Sequence, residues 1–316
     1  MSSQQNGGAV EQKPLLAGAL VLSTTLPIAC QNKAEVAPRL RAYRITPTQL
    51  RDFDDIATDL LIDSVYPEVT IRKNCNTYSS TCENRKDIVS IIKNVAIKQR
   101  DPARAVSQLF QVPDLKRFLD NLASADEKED LQKHMRKYVN LYLPDCPFEV
   151  SRTTRYSPLP EAALKARRDI EKGEITYLCG AQACFTGGEI PDQDDLSVTQ
   201  SSRHKLLFRM AGPTRFANHE CDPNACLKST EPYDEVKIIA LRKIWAGEEI
   251  TVSYENNAFG RDNCHCLCET SKPRMAKHAS RYLRSVREEI PISKAILALM
   301  ERRHKELYGW EWPRTR

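Results

Sequence analysis

No apolar stretch in this chain is long enough to cross a bilayer: the run from Leu15 to Leu22 falls well short of the roughly 20 residues that a spanning helix needs. No membrane partner is therefore expected. The run follows Lys13 and leads into Ala29 and Cys30, as a processed leader would, but residues 1–12 carry Glu11 and no basic residue. A loosely ordered extension over residues 1–45 is the expectation. A strong charge of one sign is also missing. The 47 basic and 42 acidic side chains leave a net +5, too mild to demand a nucleic-acid partner, although nonspecific contact with DNA is compatible with it. Internal repeats, long low-complexity tracts and any base-reading element are absent too. The 11 cysteines do not suit a disulfide framework, which belongs to short secreted chains; here Cys264, Cys266 and Cys268 lie close together, as metal ligands do.

What is present falls into segments of different period. From Thr46 to about Tyr142 the pattern is helical. Ile88, Ile91, Ile92 and Val95 share one face, as do Leu115, Phe118, Leu119 and Leu122. Ser124 to Glu127 reads as a capping box before a helix whose buried stripe is Leu131, Met135 and Tyr138. Pro144, Pro147, Pro158 and Pro160 then punctuate the chain, and strand-like runs such as Val236 to Leu241 follow. Helical spacing returns at Ile292, Ala295, Ile296, Leu299 and Met300, before a basic Arg302 to Lys305 stretch. That stretch reads as a solvated helix end or a nuclear targeting signal. The fold class expected is α+β, divided as an extension (1–45), a helical domain (46–145), a β-rich domain (146–260), a short cysteine segment (261–272) and a helical tail (273–316).

The chemistry concentrates between Gly212 and Tyr254. An Asn218-His219 pair precedes Cys221 and the Pro223-Asn224 step, and Gly247-Glu248-Glu249 opens a strand that runs to Tyr254. These parts suit transfer of a methyl group from a sulfonium to an amine. The leaving group is neutral and already activated, so the work is geometric: hold amine, methyl and sulfur in line, keep the amine deprotonated and surround the methyl with oxygens. Tyr254 and backbone carbonyls near Asn218 are the candidate oxygens. A lysine amine has an unperturbed pKa of about 10.4, so an apolar channel beside the sulfonium must ease its deprotonation. Phe208, Phe216, Trp245 and Phe259 are candidates for lining that channel, although ordinary core packing is the commoner use of any one such aromatic.

Residues 147–271 resemble a SET domain, and more narrowly the suppressor-of-variegation 4-20 branch and its fungal relatives, which methylates lysine 20 of histone H4. The resemblance extends to Phe53 to Thr58, Thr70 to Asn74 and Tyr142 to Val150, and covers most of residues 46–271. It implies a helical domain packed on curved sheets, with a pseudoknot and a post-SET segment, and S-adenosylmethionine as methyl donor. Residue by residue, it implies that Asn218 and His219 hold the cofactor. Tyr156, Ser157, Pro158, Leu159 and Ala162 would line its pocket, Arg203 would meet its carboxylate and Leu267 would lie against it. Tyr254 would stand at the transfer site. Ser197 matches a small residue of the lysine channel, which leaves room for an amine that already carries one methyl. Further methylation of a monomethylated lysine is therefore expected.

The family's structural zinc site has four thiolates, and Cys221, Cys266 and Cys268 match three of them. The fourth position is Ser271, a far poorer ligand; Cys264 and His265 are alternatives at the wrong end of the run. Glu255 stands where the family usually has glycine. The implied partner is the histone H4 tail in nucleosomes and the implied location is nuclear chromatin. An acidic approach surface for that tail is expected, with Glu189, Asp192, Asp194 and Asp195 the densest acidic stretch, although a solvated polar loop is the commoner use of such a run. Two other functions stay open: a catalytically weak SET scaffold that binds chromatin, and a methyltransferase for a non-histone lysine.

Overall fold

The computed structural model describes residues 45–67, 69, 71–80, 82–155, 161–185, 191, 197–200, 206–230, 235–254, 258–259, 263 and 266–271. The expectations for residues 1–44 and for the tail beyond Ser271 lie outside the described residues. So do those for Tyr156, Ser157, Pro158 and Leu159, for Arg203, Glu255, Cys264 and His265, and for the acidic Glu189, Asp192, Asp194 and Asp195.

The helical part runs α1 (Pro47–Thr58), α2 (Arg85–Ile91), α3 (Pro102–Leu109), α4 (Pro113–Asp120) and α5 (Ala125–Asn140). Two π-helical turns, Asp59–Asp63 and Ile92–Ile97, extend α1 and α2. Proline stands at the first helical position of α1, α3 and α4, where its missing N–H costs nothing and its fixed φ favours the first turn. The full capping box sits at the start of α1. Thr46 accepts from the Gln49 N–H at 3.1 Å, and the Gln49 side chain accepts from the Thr46 N–H at 3.0 Å. The box expected at Ser124 forms by half. Ser124 Oγ accepts from the Glu127 N–H, but Glu127 turns its carboxylate to the Ala123 N–H at 2.8 Å and to Gln49 Nε2 at 3.0 Å. Glu127 thereby links α5 to α1, a tertiary use that the local pattern does not carry. The expected stripes are largely buried: Ile88, Ile92, Val95, Leu115, Leu131, Met135 and Tyr138 all lie in one core.

The strands form two sheets. One has the order β1 (Phe148–Thr153), β2 (Glu161–Ala166), β9 (Glu249–Val252), β6 (Asn218–His219). The other has the order β4 (Val198–Gln200), β5 (Leu207–Ala211), β3 (Ile175–Cys184), β8 (Glu235–Ala240), β7 (Ala225–Thr230). Every pairing among these is antiparallel except β6 with β9, where Asn218 stands opposite Thr251 and His219 opposite Val252. Val236, Ile238 and Ala240 alternate inward along β8, as a half-buried strand should, and Leu241 lies just beyond it, 44% exposed. One cluster of buried side chains runs from Phe53 and Leu60 through Tyr138 to Phe148, Leu164, Ile250 and Val252, so helices and sheets share a core. This is the α+β arrangement expected, a helical amino-terminal part against a curled set of sheets.

Asp54 of α1 joins the two parts and is fully buried. Its Oδ1 accepts from Tyr138 Oη (2.6 Å) and the Gly212 N–H (2.7 Å), with His134 Nε2 at 3.0 Å. Its Oδ2 accepts from Arg215 Nη1 (2.6 Å) and Asn74 Nδ2 (3.0 Å). Burial alone would raise this carboxyl's pKa, but Arg215, His134 and Tyr138 together hold it far below the ordinary carboxylate range. Gly212 sits at φ +78°, and a Cβ there would come within 2.6 Å of the Cys179 carbonyl oxygen, so only glycine fits. Three residues later Arg215 occupies the 3₁₀ turn Pro213–Phe216 that delivers the chain to Asn218.

Candidate active site

Parallel pairing of β6 with β9 brings the Asn-His element beside the strand that leads, two residues on, to Tyr254. Neither element is long; the sheet supplies the registration. Asn218 commits its side chain to the protein, with Nδ2 donating to the Ala162 carbonyl (3.1 Å) and to Glu249 Oε1 (3.0 Å). What Asn218 and His219 can offer a ligand is therefore chiefly backbone, on a strand that ends its sheet. Asn224 plays a matching role one loop later. It donates to Glu248 (3.0 Å) and to the Glu249 carbonyl (2.8 Å), and accepts from the Thr251 N–H (2.9 Å), which locks the Pro-Asn step to β9.

Tyr254 is held at both ends. Its N–H donates to His219 Nδ1 at 3.1 Å, and its hydroxyl donates to the Ala217 carbonyl at 2.8 Å. The ring packs against His219 (centroids 5.5 Å apart) and stacks on Phe259 (6.2 Å). A phenolic oxygen and a main-chain carbonyl thus lie together beside the Asn-His strand. Burial, and then the Glu161 carboxylate, push the Tyr254 pKa up, so the hydroxyl keeps its proton at neutral pH. Of the aromatics considered for the channel, Phe259 lies at this site. Trp245 does not: it is 59% exposed, with Lys243 Nζ 4.3 Å from its ring centre. Phe216 packs edge-on against Tyr138 in the shared core. Ser197 is buried at the entry to β4, where its hydroxyl accepts from Arg209 Nη1 at 3.2 Å.

The sequence marks Glu249 as part of a strand entry but carries no sign of the charged groups that gather around it. Glu249 accepts from Thr153 Oγ1 (3.2 Å) as well as from Asn218, with Arg155 Nη1 3.5 Å away. Glu161, facing Thr153 across β1 and β2, has its pKa raised to about 7 by burial and by the Glu249 charge. The folded state therefore holds this proton more tightly than the unfolded chain. The associated stability is complete below pH ~4.5 and is lost as pH rises through about 7. Glu161→Gln does not titrate, so its melting temperature relative to wild type should climb between pH 4.5 and pH 7 and then level off, as a thermal-melt series across that range would record. Single carboxylates give no periodic signal, and only the strand pairing brings these two together.

The cysteines converge below His219. Donor atoms of His219, Cys221, Cys266 and Cys268 all lie within 4.8 Å of one another. Cys221 Sγ is 4.0 Å from Cys266 Sγ, and the Cys221 N–H donates to Cys268 Sγ at 3.4 Å. Ser271 Oγ closes the group at 3.1 Å from Cys221 Sγ and 3.3 Å from Cys268 Sγ. A tetrahedral zinc with ordinary bond lengths needs sulfurs roughly 3.8 Å apart and sulfur-to-oxygen edges of roughly 3.5 Å, so this donor set fits the ion. His219 Nε2 is 3.4 Å from Cys221 Sγ. Because His219 Nδ1 accepts the Tyr254 N–H, the neutral ring carries its proton on Nε2 and donates toward the thiolate rather than binding metal. Cys221, Cys266 and Cys268 are thus the three thiolate ligands that would hold zinc, with Ser271 at the fourth corner. The hydrogen bond between Cys266 and Cys268 drives their acidities apart, Cys266 upward and Cys268 well below the usual thiol range. Replacing the weak donor should be readily visible: Ser271→Cys should resist a zinc chelator at about tenfold or more higher concentration than wild type, as read by metal analysis of the dialysed protein.

The SET domain family model matches residues 189–255, the stretch that runs from the approach to β4 to the residue after Tyr254. The chain carries a SET domain. Curated relatives extend the likeness to the helical part. The histone-lysine N-methyltransferase SET9 of Phaeosphaeria nodorum is 41% identical over 238 residues, 73% of this chain and 36% of that protein. Its namesake in Gibberella zeae is 43% identical over 234 residues, 72% of this chain and 35% of that protein. This SET chain therefore spans about a third of the length of those relatives. Among solved structures, the Neurospora SET domain protein DIM-5, a histone lysine methyltransferase, matches 35% of this chain and 53% of its own at 20% identity and a TM-score of 0.28.

Proposed function

We propose that this SET chain is a histone-lysine methyltransferase that uses S-adenosylmethionine and acts on lysine 20 of histone H4, adding methyl to a lysine already monomethylated. The observation that carries the reading is the placement of Tyr254 Oη 2.8 Å from the Ala217 carbonyl, beside the Asn218-His219 strand. Two oxygens held where the chain enters β6 and where it leaves β9 form the kind of preorganised, electron-rich wall that favours a polarised methyl and costs no reorganisation when the reaction occurs.

When bound, the cofactor supplies an activated methyl on a cationic sulfur and leaves as a neutral thioether. The residues of this chain do the rest. The strand Asn218-His219 offers backbone groups to the adenine, and Ala162, fixed by the Asn218 amide, forms part of the wall. Tyr254 keeps its proton, so its oxygen accepts from the polarised methyl or the incoming amine without becoming an anion. Phe259 excludes water from the same face. The Glu249 carboxylate provides a negative field, felt by Glu161 as a raised pKa, that favours a cationic ligand. Zinc at Cys221, Cys266 and Cys268 is structural in this reading and ties residues 266–271 to the Asn-His loop.

The H4 assignment rests on the family branch resembled, which is also the source of the nuclear, chromatin-bound setting. The test is incubation of the full chain with labelled cofactor and nucleosomes whose H4 carries either lysine or arginine at position 20. Label should enter H4 only in the first case, and a monomethylated substrate should outpace an unmethylated one. Incorporation that persists on the substituted nucleosome would move the substrate elsewhere. Cofactor binding without transfer would favour the rival that Ser271 suggests, a chromatin-binding scaffold with a weakened post-SET segment.

A further inference from the structure

Glu220 stands between two residues already discussed, His219 and Cys221, yet has no part in the chemistry so far. It is 6% exposed, and both its oxygens are engaged. Oε1 accepts from the Thr270 N–H at 3.1 Å and from the Cys221 N–H at 3.1 Å. Oε2 accepts from the Glu269 N–H at 3.2 Å and from Arg155 Nη2 at 2.9 Å. Arg155 reaches Glu249 at 3.5 Å and Glu269 at 3.8 Å as well.

We infer that Glu220 is a positioning residue, a latch whose carboxylate fastens the turn at Glu269 and Thr270 to Arg155 and so holds the post-SET segment over the Asn-His loop without relying on the metal. Three thiolates and a serine hold the segment from one side through Cys266, Cys268 and Ser271. The two amides between Cys268 and Ser271 point instead at Glu220, and a hydrogen bond to a carboxylate is stronger than one between neutral groups. A segment whose metal corner is weakened by serine thus has a second attachment that involves no metal ligand. The Arg155 arm links the same carboxylate to the chain just after β1 and, at 3.5 Å, to Glu249 at the start of β9.

The consequence for cofactor affinity rests on the function proposed above; the latch itself does not. Hydrogen exchange on the full chain, with and without EDTA, tests it directly. After the metal is stripped, the Glu269 and Thr270 amides of wild type should still exchange about tenfold more slowly than those of Glu220→Ala. Glu220→Gln, which keeps one acceptor oxygen and the same shape, should lie between them and covers the case in which the alanine variant fails to fold. With metal bound, the glutamine variant should retain wild-type zinc content while its KM for the cofactor rises about tenfold or more and kcat changes little, a split that simple loss of stability would not produce. The latch is refuted if chelation alone brings the wild-type amides to the exchange rate of the variants, or if Glu220→Gln loses its zinc along with its amide protection. An inactive wild type that shows the exchange pattern would overturn the proposed function and leave the latch standing.

Discussion

Tyr254→Phe is expected to lower kcat by about a hundredfold or more while changing cofactor affinity only a few-fold. Phenylalanine keeps the ring that stacks on Phe259 and packs on His219, and it keeps the backbone N–H that donates to His219 Nδ1. What disappears is one oxygen, with its 2.8 Å hydrogen bond to the Ala217 carbonyl. A group that merely supported the fold would give a variant with a lower melting temperature and a proportionate loss of both parameters. A group that faces the reacting methyl gives a stable protein that binds and does not turn over. Single-turnover methylation with labelled cofactor, together with calorimetric titration of that cofactor, separates these outcomes. Transfer by the variant at the wild-type rate would remove Tyr254 from the reaction.

Asp54→Ala should be the most damaging single change outside the cysteine cluster, destabilising the fold by about 3–5 kcal/mol. The reason is what it strands. Arg215, largely but not fully buried, would lose its 2.6 Å partner, and the buried Tyr138, His134 and Asn74 and the Gly212 N–H would each lose an acceptor. Asp54→Asn, which keeps the shape and one acceptor oxygen, should cost less. Because the folded-state pKa of Asp54 is depressed, its contribution is fully present above the unfolded value near 3.8 and is lost as pH falls below it. The gap between wild type and Asp54→Ala should therefore be constant at neutral pH and narrow progressively in acid. Denaturant melts at pH 7 and pH 3 measure both effects. A variant within 1 kcal/mol of wild type at neutral pH would show that the hub is not where the helical part and the sheets are joined. Since Gly212 and Arg215 lead directly into the Asn-His element, cofactor affinity should fall along with stability.

Both predictions concern residues whose neighbours come from distant parts of the chain, and legibility in the sequence divides along that line. The helical period over α1 to α5, the buried face of α5 and the alternation along β8 could be read directly, because each is a local pattern that repeats every few residues. The Asn218-His219, Cys221 and Tyr254 set was also legible, since those residue types at that spacing have few other uses in combination. By contrast, nothing in the run Phe53-Asp54-Asp55 announces which aspartate will be buried under an arginine 161 positions away. Glu220 gave no signal either, as a glutamate next to a histidine reads as an ordinary polar loop. The π-helical turns went unseen because a single wider turn leaves the apolar spacing almost unchanged. Trp245 illustrates the converse error: an aromatic close to the motif in sequence is a candidate for the channel, and the structure leaves it on the surface.

What the sequence alone determined was the inventory of chemistry: an oxygen at Tyr254, three thiols with a serine where a fourth would stand, and a helical half ahead of a stranded one. The tertiary structure decided who meets whom. It set Tyr254 against the Ala217 carbonyl, gave His219 a proton position that points it away from metal binding, and closed Ser271 onto two sulfurs. It also gave Asp54 and Glu220 their partners. The physical reason is that a residue's type limits the bonds it can make, whereas the energy of a buried charge depends on donors that only folding brings within 3 Å or so.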